Sequence, residues 1–599
     1  MSTGLHKLKP YKSFLLAKVK DGVDLDGIVQ QLLDDVITIL KVKEDGPRKL
    51  ITKSPPESDA GLHVAYIHFT EEQPVAWIED DSVSNLVHQL VLVCRRDRYV
   101  GLCVSDNRLR TPIVRRIGRP RMAGLSSLEP INPGFMNAAF VRGITRTLWL
   151  SGTHRRSTVK ADSKILSGLN LRDALNPLED QSYYFTAARS NADIEGLRSP
   201  VVGASPRGSR IWVGVSTDWA DFRDTAAGVL RQLKKTKKPI QAPLPVVAVS
   251  AVDAKKVADA FDVGLVPPEG VTDDPNIDPE TLAALERWSY GGDFRITKTD
   301  GASFEVDMVL AGISVGIATF EVTVESAENV HWAISGKART AAQQEEHRKA
   351  LDLCNNRAWL KVWYDSGQTL SDGALFEIRH RDMPFWGFQW GNLDGFDITR
   401  EKPDPLDEIG RQDSLFCWVQ QFWPNLSHPL KIPGGWLACD DGSMEIADFI
   451  HLDERAHPPI LSLIHVKGAG SDREHRGISV SKYEVVTGQA VKNLRSLDRL
   501  LLDAGLRSGI GTKVGDLVWH NRRRTGRRQM LDALARLGAE YQRRIVIVQP
   551  HVKKTIYEEA RAHPRSLDAA RLQQLDTLLL SAEASAHGAG ASLTVIGGK

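Results

Sequence analysis

Cysteine is scarce. The 599 residues hold five, Cys94, Cys103, Cys354, Cys417 and Cys439, and no two make a CxxC pair. That spacing supplies neither a disulfide framework nor a zinc ribbon, and it suits a reducing, cytoplasmic setting. An excess of one charge is also missing. Lys and Arg number 77 against 75 Asp and Glu, a formal charge of +2, so any case for nucleic acid or membrane has to be local. Long apolar runs are absent. The longest uncharged apolar stretch, MVLAGISVGIATF from Met308 to Phe320, is 13 residues, too short to cross a bilayer and rich in strand formers, and it predicts a buried hairpin. The amino-terminal segment MSTGLHKLKPYKSFLLAKVKDG lacks the apolar core and small-residue cleavage site of a signal peptide, so no export signal is read and no membrane is expected. GxxxxGK[ST], a dinucleotide fingerprint and HExxH are missing too, and no nucleophile elbow is read. The absence of the first weighs against a Walker-type NTPase in this polypeptide.

What is present suits a folded chain with several cores: 42% of residues are hydrophobic and 25% charged. At roughly 150 residues per domain the length allows about four. Residues 1–265 mix short apolar runs with amphipathic helices. VHQLVLVCRRDRYVGLCVS reads as two strands about a charged turn, and Arg210–Ser216, Trp219–Lys235 and Pro243–Ser250 as strand, helix, strand. Four prolines between Val263 and Leu282 mark a linker at 266–283. A β-rich middle region, 284–404, ends in the Pro/Asp-rich hinge REKPDPLDEIG at Arg400 to Gly410, and 405–599 follows as a last domain.

That last domain carries the chemistry. Ser414 to Trp423 has helical spacing. GGWLACDDGSMEIADFIHLDE reads as a strand, an Asp-Gly turn and a second strand, with Asp440 and Asp441 as turn residues. PPILSLIHVKGAG is a third strand in which His465 and Lys467, two apart, project from one face. Val486, Ala490, Leu494, Leu497 and Leu501 predict one amphipathic helix, with Gln489 and Asn493 beside the stripe, and RRIVIVQP a central strand. Phosphodiester hydrolysis needs an oxygen-rich metal site and a nearby cation. Asp448, a second ligand and Lys467 form that minimum. His465, with a reference pKa of about 6.5, suits a ligand or a proton shuttle. Glu445 ranks below them, since alternation sets it opposite Asp448. Read alone, a strand with one His and one Lys suits a solvent-facing edge; the flanking Asp448, Gln489 and apolar strand favour a site.

This order, helix, three strands, helix, strand, resembles the PD-(D/E)XK, or restriction-endonuclease-like, nuclease superfamily. The resemblance covers about a quarter of the chain. It implies a mixed sheet flanked by helices, within a chain that is α/β by local pattern and α+β overall. It matches Asp448 to the family's strand Asp, Lys467 to its lysine and Gln489 to its helix polar residue, with His465 where the acid would stand. Implied by the same resemblance are a metal-dependent nuclease using Mg²⁺ or Mn²⁺, bound by Asp448, His465 and Glu445, with DNA favoured over RNA as substrate. It further implies prokaryotic defence against phage or mobile DNA, a separately encoded ATPase or helicase partner, and a homo-oligomer for double-strand cutting. The alternative is an inactive nucleic-acid-binding or scaffold subunit retaining the fold. NRRRTGRR places Arg522, Arg523, Arg524, Arg527 and Arg528, five Arg in eight residues, where a loop would grip the nucleic-acid backbone. RRIGRPRM at Arg115 to Met122 is a second basic cluster, read as a solvated loop. The alternating Trp386, Phe388 and Trp390 suit a half-buried strand.

Overall fold

The computed structural model describes residues 4–75, 83–120, 122–172, 174–197, 201–244, 246–250, 257–267, 279–377, 383–422, 434–442, 446–538 and 540–599. The chain forms two compact units, one of residues 1–175 and 179–379, the other of residues 176–178 and 380–599. Helices and strands are mixed in both, an α+β composition. Among the described residues no helix is long and apolar enough to cross a membrane.

The first unit contains a 12-stranded sheet whose centre is Tyr99–Val104, Tyr11–Val19 and Arg210–Val215. Two amphipathic helices bury their apolar stripes in separate cores. Ile28–Leu40 buries Ile28, Leu32, Leu33 and Val36, and Trp219–Lys235 buries Phe222, Ala226, Val229 and Leu230. Asp218 starts the second helix by accepting the Asp221 N–H. The expected strand–helix–strand unit does not form there. Arg210–Val215 runs antiparallel to both neighbours. Pro243–Ser250 makes no strand among the described residues, only a single bridge from Ser250 to Phe376, because proline brings no N–H to a ladder.

Two four-stranded sheets complete this unit. In one, Ser303–Leu310 and Ile313–Ser326 form the expected hairpin, turning at Ala311 and Gly312 with φ of 50° and 81°, the positive values a two-residue turn requires. In the other, Ala260–Leu265 pairs with Leu360–Tyr364, so the strand ahead of the expected linker and a strand beyond it share one sheet. Residues 268–278 of that linker lie outside the described residues.

The second unit is built on an eight-stranded mixed sheet. Its order is Phe388–Gly391, Ala591–Gly598, Gln542–Lys553, Ile460–Val466, Phe449–Asp453, Trp436–Cys439, Val518–His520, Arg523–Thr525. The first four are parallel and the rest alternate. The apolar run Ile545–Val548 lies in the centre, as a strand covered on both faces must. Leu415–Phe422 covers one face with Leu415, Phe416, Trp418 and Val419. Ser481–Lys492 and Leu567–Gly588 cover the other. The edge strand Phe388–Gly391 precedes the hinge at 400–410, so the sheet draws on residues ahead of 405. The stripe from Val486 to Leu501 is not one helix. Ser481–Lys492 gives way to a 3₁₀ turn, Leu494–Leu497, and Asp498 starts a new helix, Arg499–Ser508, by accepting the N–H groups of Leu500 and Leu501; Leu501 is exposed.

Candidate active site

Three strands of the second unit deliver their polar residues to one end of the sheet. Trp436–Cys439 leads out into Asp440 and Asp441, its antiparallel neighbour Phe449–Asp453 is entered from Asp448, and Ile460–Val466 leads out into Lys467. Asp448 is buried, and its Oδ2 accepts the Val466 N–H at 2.7 Å, which ties the carboxylate to the strand that carries Lys467. The Lys467 N–H bonds Val548 O at 2.9 Å. Asp448 and Lys467, matched from sequence, are therefore brought to the same sheet end.

Two further residues arrive from the hinge, Glu401 and Lys402. Their segment is fastened to the strand end by the Ala469 N–H on Ile398 O at 2.7 Å and to the covering helix by the Leu415 and Phe416 N–H groups on Arg400 and Glu401 O. Gly468 permits this approach, since a Cβ there would stand 2.6 Å from Thr399 O. The outcome is a row of alternating charge. Lys402 Nζ lies 2.6 Å from Asp441 Oδ1 and 4.0 Å from Glu401, and Lys467 Nζ lies 2.7 Å from Glu401 Oε2. Burial works against the Lys402 charge, but Asp441, Glu401 and Asp448 outweigh it and hold the ammonium above its ordinary range.

Asp440 and Asp441 are thus more than turn residues. The strands about them close at Cys439 and Phe449, with nine residues between them where Asp-Gly predicts a two-residue turn, and with 443–445 outside the described residues. Arg527, 3% exposed, grips the start of this stretch from below. Its Nη1 donates to Asp440 Oδ1 at 2.6 Å, its Nη2 to Cys439 O and its Nε to Gly515 O. Burial pushes the Asp440 carboxyl upward despite this partner. Arg527 is therefore spent on the protein's own loop and is not available to a phosphate. Arg522, Arg523, Arg524 and Arg528 are exposed. Arg522 sits with Asn521 in the positive-φ turn between Val518–His520 and Arg523–Thr525, and Arg524 lies 5.2 Å over the Trp519 ring.

His465 does not join the row. It is 2% exposed, on the sheet face packed with Leu461 and Leu463, and its Nε2 has no hydrogen-bond partner among the described residues. Burial, with help from the Lys492 charge, lowers its pKa to about 4. It is a neutral core imidazole. Gln489 is half-buried on the Ser481–Lys492 helix. The amide that reaches the strand end belongs to Gln549, whose Nε2 donates to Gly468 O at 3.3 Å and Lys482 O at 2.8 Å. Glu445 lies outside the described residues. Among the described residues, no three His, Cys, Asp or Glu side chains stand grouped to hold a metal ion.

His451 is likewise buried, with Nε2 on Gly434 O, and burial lowers its pKa to about 4. Both rings are neutral when folded, whereas the unfolded chain takes up protons near pH 6.5. Their contribution is complete above about pH 6.5 and is lost as the pH falls toward 4. The urea midpoint is expected to drop between about pH 7 and about pH 5, and His465→Leu to recover part of that drop. An unchanged slope in the variant would show that the ring is charged in the fold. Comparison with protein-family models, with curated protein sequences and with solved structures finds no match to this chain.

Proposed function

We propose that the second unit is a metal-dependent nuclease, hydrolysing phosphodiester bonds with DNA favoured over RNA, in prokaryotic defence. The observation that carries this reading is the meeting of Asp448, Glu401 and Lys467 at one end of a mixed sheet, with Asp448 bonded to the N–H of Val466, next to Lys467 in the chain. The helix, three strands and helix around them, with Gln542–Lys553 running parallel beside Ile460–Val466, support it. The donor chemistry fits a hard cation. Carboxylate oxygens suit Mg²⁺ or Mn²⁺, while the imidazole at 465 is buried away from the row. Asp448 and Glu401 would hold the ion, and the second carboxylate would come from the hinge, not from position 465. The ion would supply charge neutralisation and a lowered pKa for the attacking water.

The chain's own groups do the rest. Lys467, fixed by Glu401, orients the water and meets charge developing on the phosphorane. Arg527 holds Asp440, and with it the chain leaving Trp436–Cys439, in place. The exposed Arg522, Arg523, Arg524 and Arg528 offer the backbone of the nucleic acid a cationic strip. The experiment is incubation of the full chain with supercoiled plasmid, linear duplex, single-stranded DNA and RNA, in Mg²⁺, Mn²⁺ or EDTA. Cleavage that EDTA stops supports the proposal and names the substrate. A second reading, an inactive nucleic-acid-binding subunit, is favoured by the histidine at 465 and by the lack of a ready three-ligand group among the described residues. Salt-sensitive binding without cleavage in any metal would establish it.

A further inference from the structure

Lys402 stands apart from an ordinary surface lysine, because what holds it is buried. The Asp441 side chain is 9% exposed, against 41% for Lys402. The Asp441 carboxylate is therefore largely shielded from water, while the ammonium keeps donors facing solvent. Exposed ion pairs contribute little and wander, but this one is fixed from both sides. The Arg527–Asp440 pair anchors the loop carrying Asp441, and the backbone bonds from Ala469, Leu415 and Phe416 anchor the segment carrying Lys402. The ammonium also faces the Phe416 ring, with Nζ 5.7 Å from its centre. Glu401 lies between the two lysines, 4.0 Å from Lys402 and 2.7 Å from Lys467.

We propose that Lys402 is a second catalytic lysine, which donates to a non-bridging oxygen of the scissile phosphate, with Asp441 as its positioning residue. This rests on the nuclease reading. A phosphate entering between Lys402 and Lys467 meets ammonium groups on either side of Glu401, and negative charge grows on its oxygens as the water attacks. An ammonium already in place and not free to reorganise gains more from that charge than from the ground-state phosphate, so its effect falls on kcat. Lys402 makes and breaks no covalent bond, and its proton stays on Nζ throughout.

The test compares wild type, Lys402→Met, Lys402→Arg, Asp441→Asn and Lys467→Ala on the cleaved substrate, with Mn²⁺ binding followed by electron paramagnetic resonance. Lys402→Met is expected to lower kcat about 100-fold, the size of losing one preorganised donor, with KM and Mn²⁺ binding little changed. Lys402→Arg is expected to restore part of the rate, and Asp441→Asn to lower kcat less than Lys402→Met does. If Lys402→Met cuts like wild type while Lys467→Ala is dead, the second lysine is refuted and the nuclease reading stands. If Lys467→Ala also cuts like wild type, or the wild type never cuts, both fail.

Discussion

Lys467→Ala is expected to lower the cleavage rate by about 10³-fold, the upper range for one removed electrostatic group, while nucleic-acid binding changes little. The lysine lies beyond the end of a buried strand, 2.7 Å from Glu401 and 40% exposed, so its removal leaves no buried cavity and the fold should persist. Binding is expected from the exposed arginines at 522–524 and 528, which this substitution leaves in place. The split between rate and binding is what distinguishes a catalytic role from a docking one. Single-turnover rates beside filter-binding affinities would measure it, and a proportional loss of both would assign Lys467 to binding alone.

Arg527→Ala is the substitution with the largest expected effect on folding. The guanidinium is 2% exposed and its partner Asp440 12%, and it also serves the carbonyls of Cys439, Gly515 and Leu506. Removing it takes the charged partner from Asp440, which keeps only the Ile446 N–H, and a donor from each of these carbonyls, a loss of about 3–5 kcal/mol. Lysine should not substitute, because one ammonium cannot repeat a fork that serves several acceptors in different directions. Arg523→Ala, four positions away on the exposed edge strand, is expected to leave stability unchanged and to lessen the salt dependence of binding by about one phosphate contact. Urea unfolding of the two variants side by side checks this; equal stability would mean that the buried pair holds nothing.

That contrast shows where the sequence stops being informative. Five arginines in eight residues look alike along the chain, and only the fold buries one of them. Trp436–Cys439, Phe449–Asp453, Ile460–Val466 and Gln542–Lys553 were legible because apolar runs bounded by Gly, Pro and Asp leave few alternatives, whereas Val518–His520, Arg523–Thr525 and Ala591–Gly598 went unread. Asp448 and Lys467 were legible because each lies at a strand end that those runs define. His465 misled because alternation places it on the face of Lys467, yet Val466 ends the strand, so the rule stops applying one residue before Lys467. The sheet is also covered on both faces, which makes a polar residue within it a core residue. Glu401 and Lys402 were hidden in a Pro/Asp-rich stretch that reads as a hinge. Nothing local says that its backbone will bond Ala469 and bring Glu401 to Lys467 and Lys402 to Asp441. The helix predicted through Leu501 failed for a local reason that was readable, since Asp498 is a strong helix start.

The most direct test sets Glu401→Gln against His465→Leu in metal-dependent cleavage by the full chain. Both replacements are close in size, and they remove the two candidates for the second ligand beside Asp448. Glu401→Gln is expected to abolish cleavage and weaken Mn²⁺ binding, with His465→Leu cutting at close to the wild-type rate. Retained cleavage in Glu401→Gln together with its loss in His465→Leu would contradict this assignment and return the second ligand to the strand.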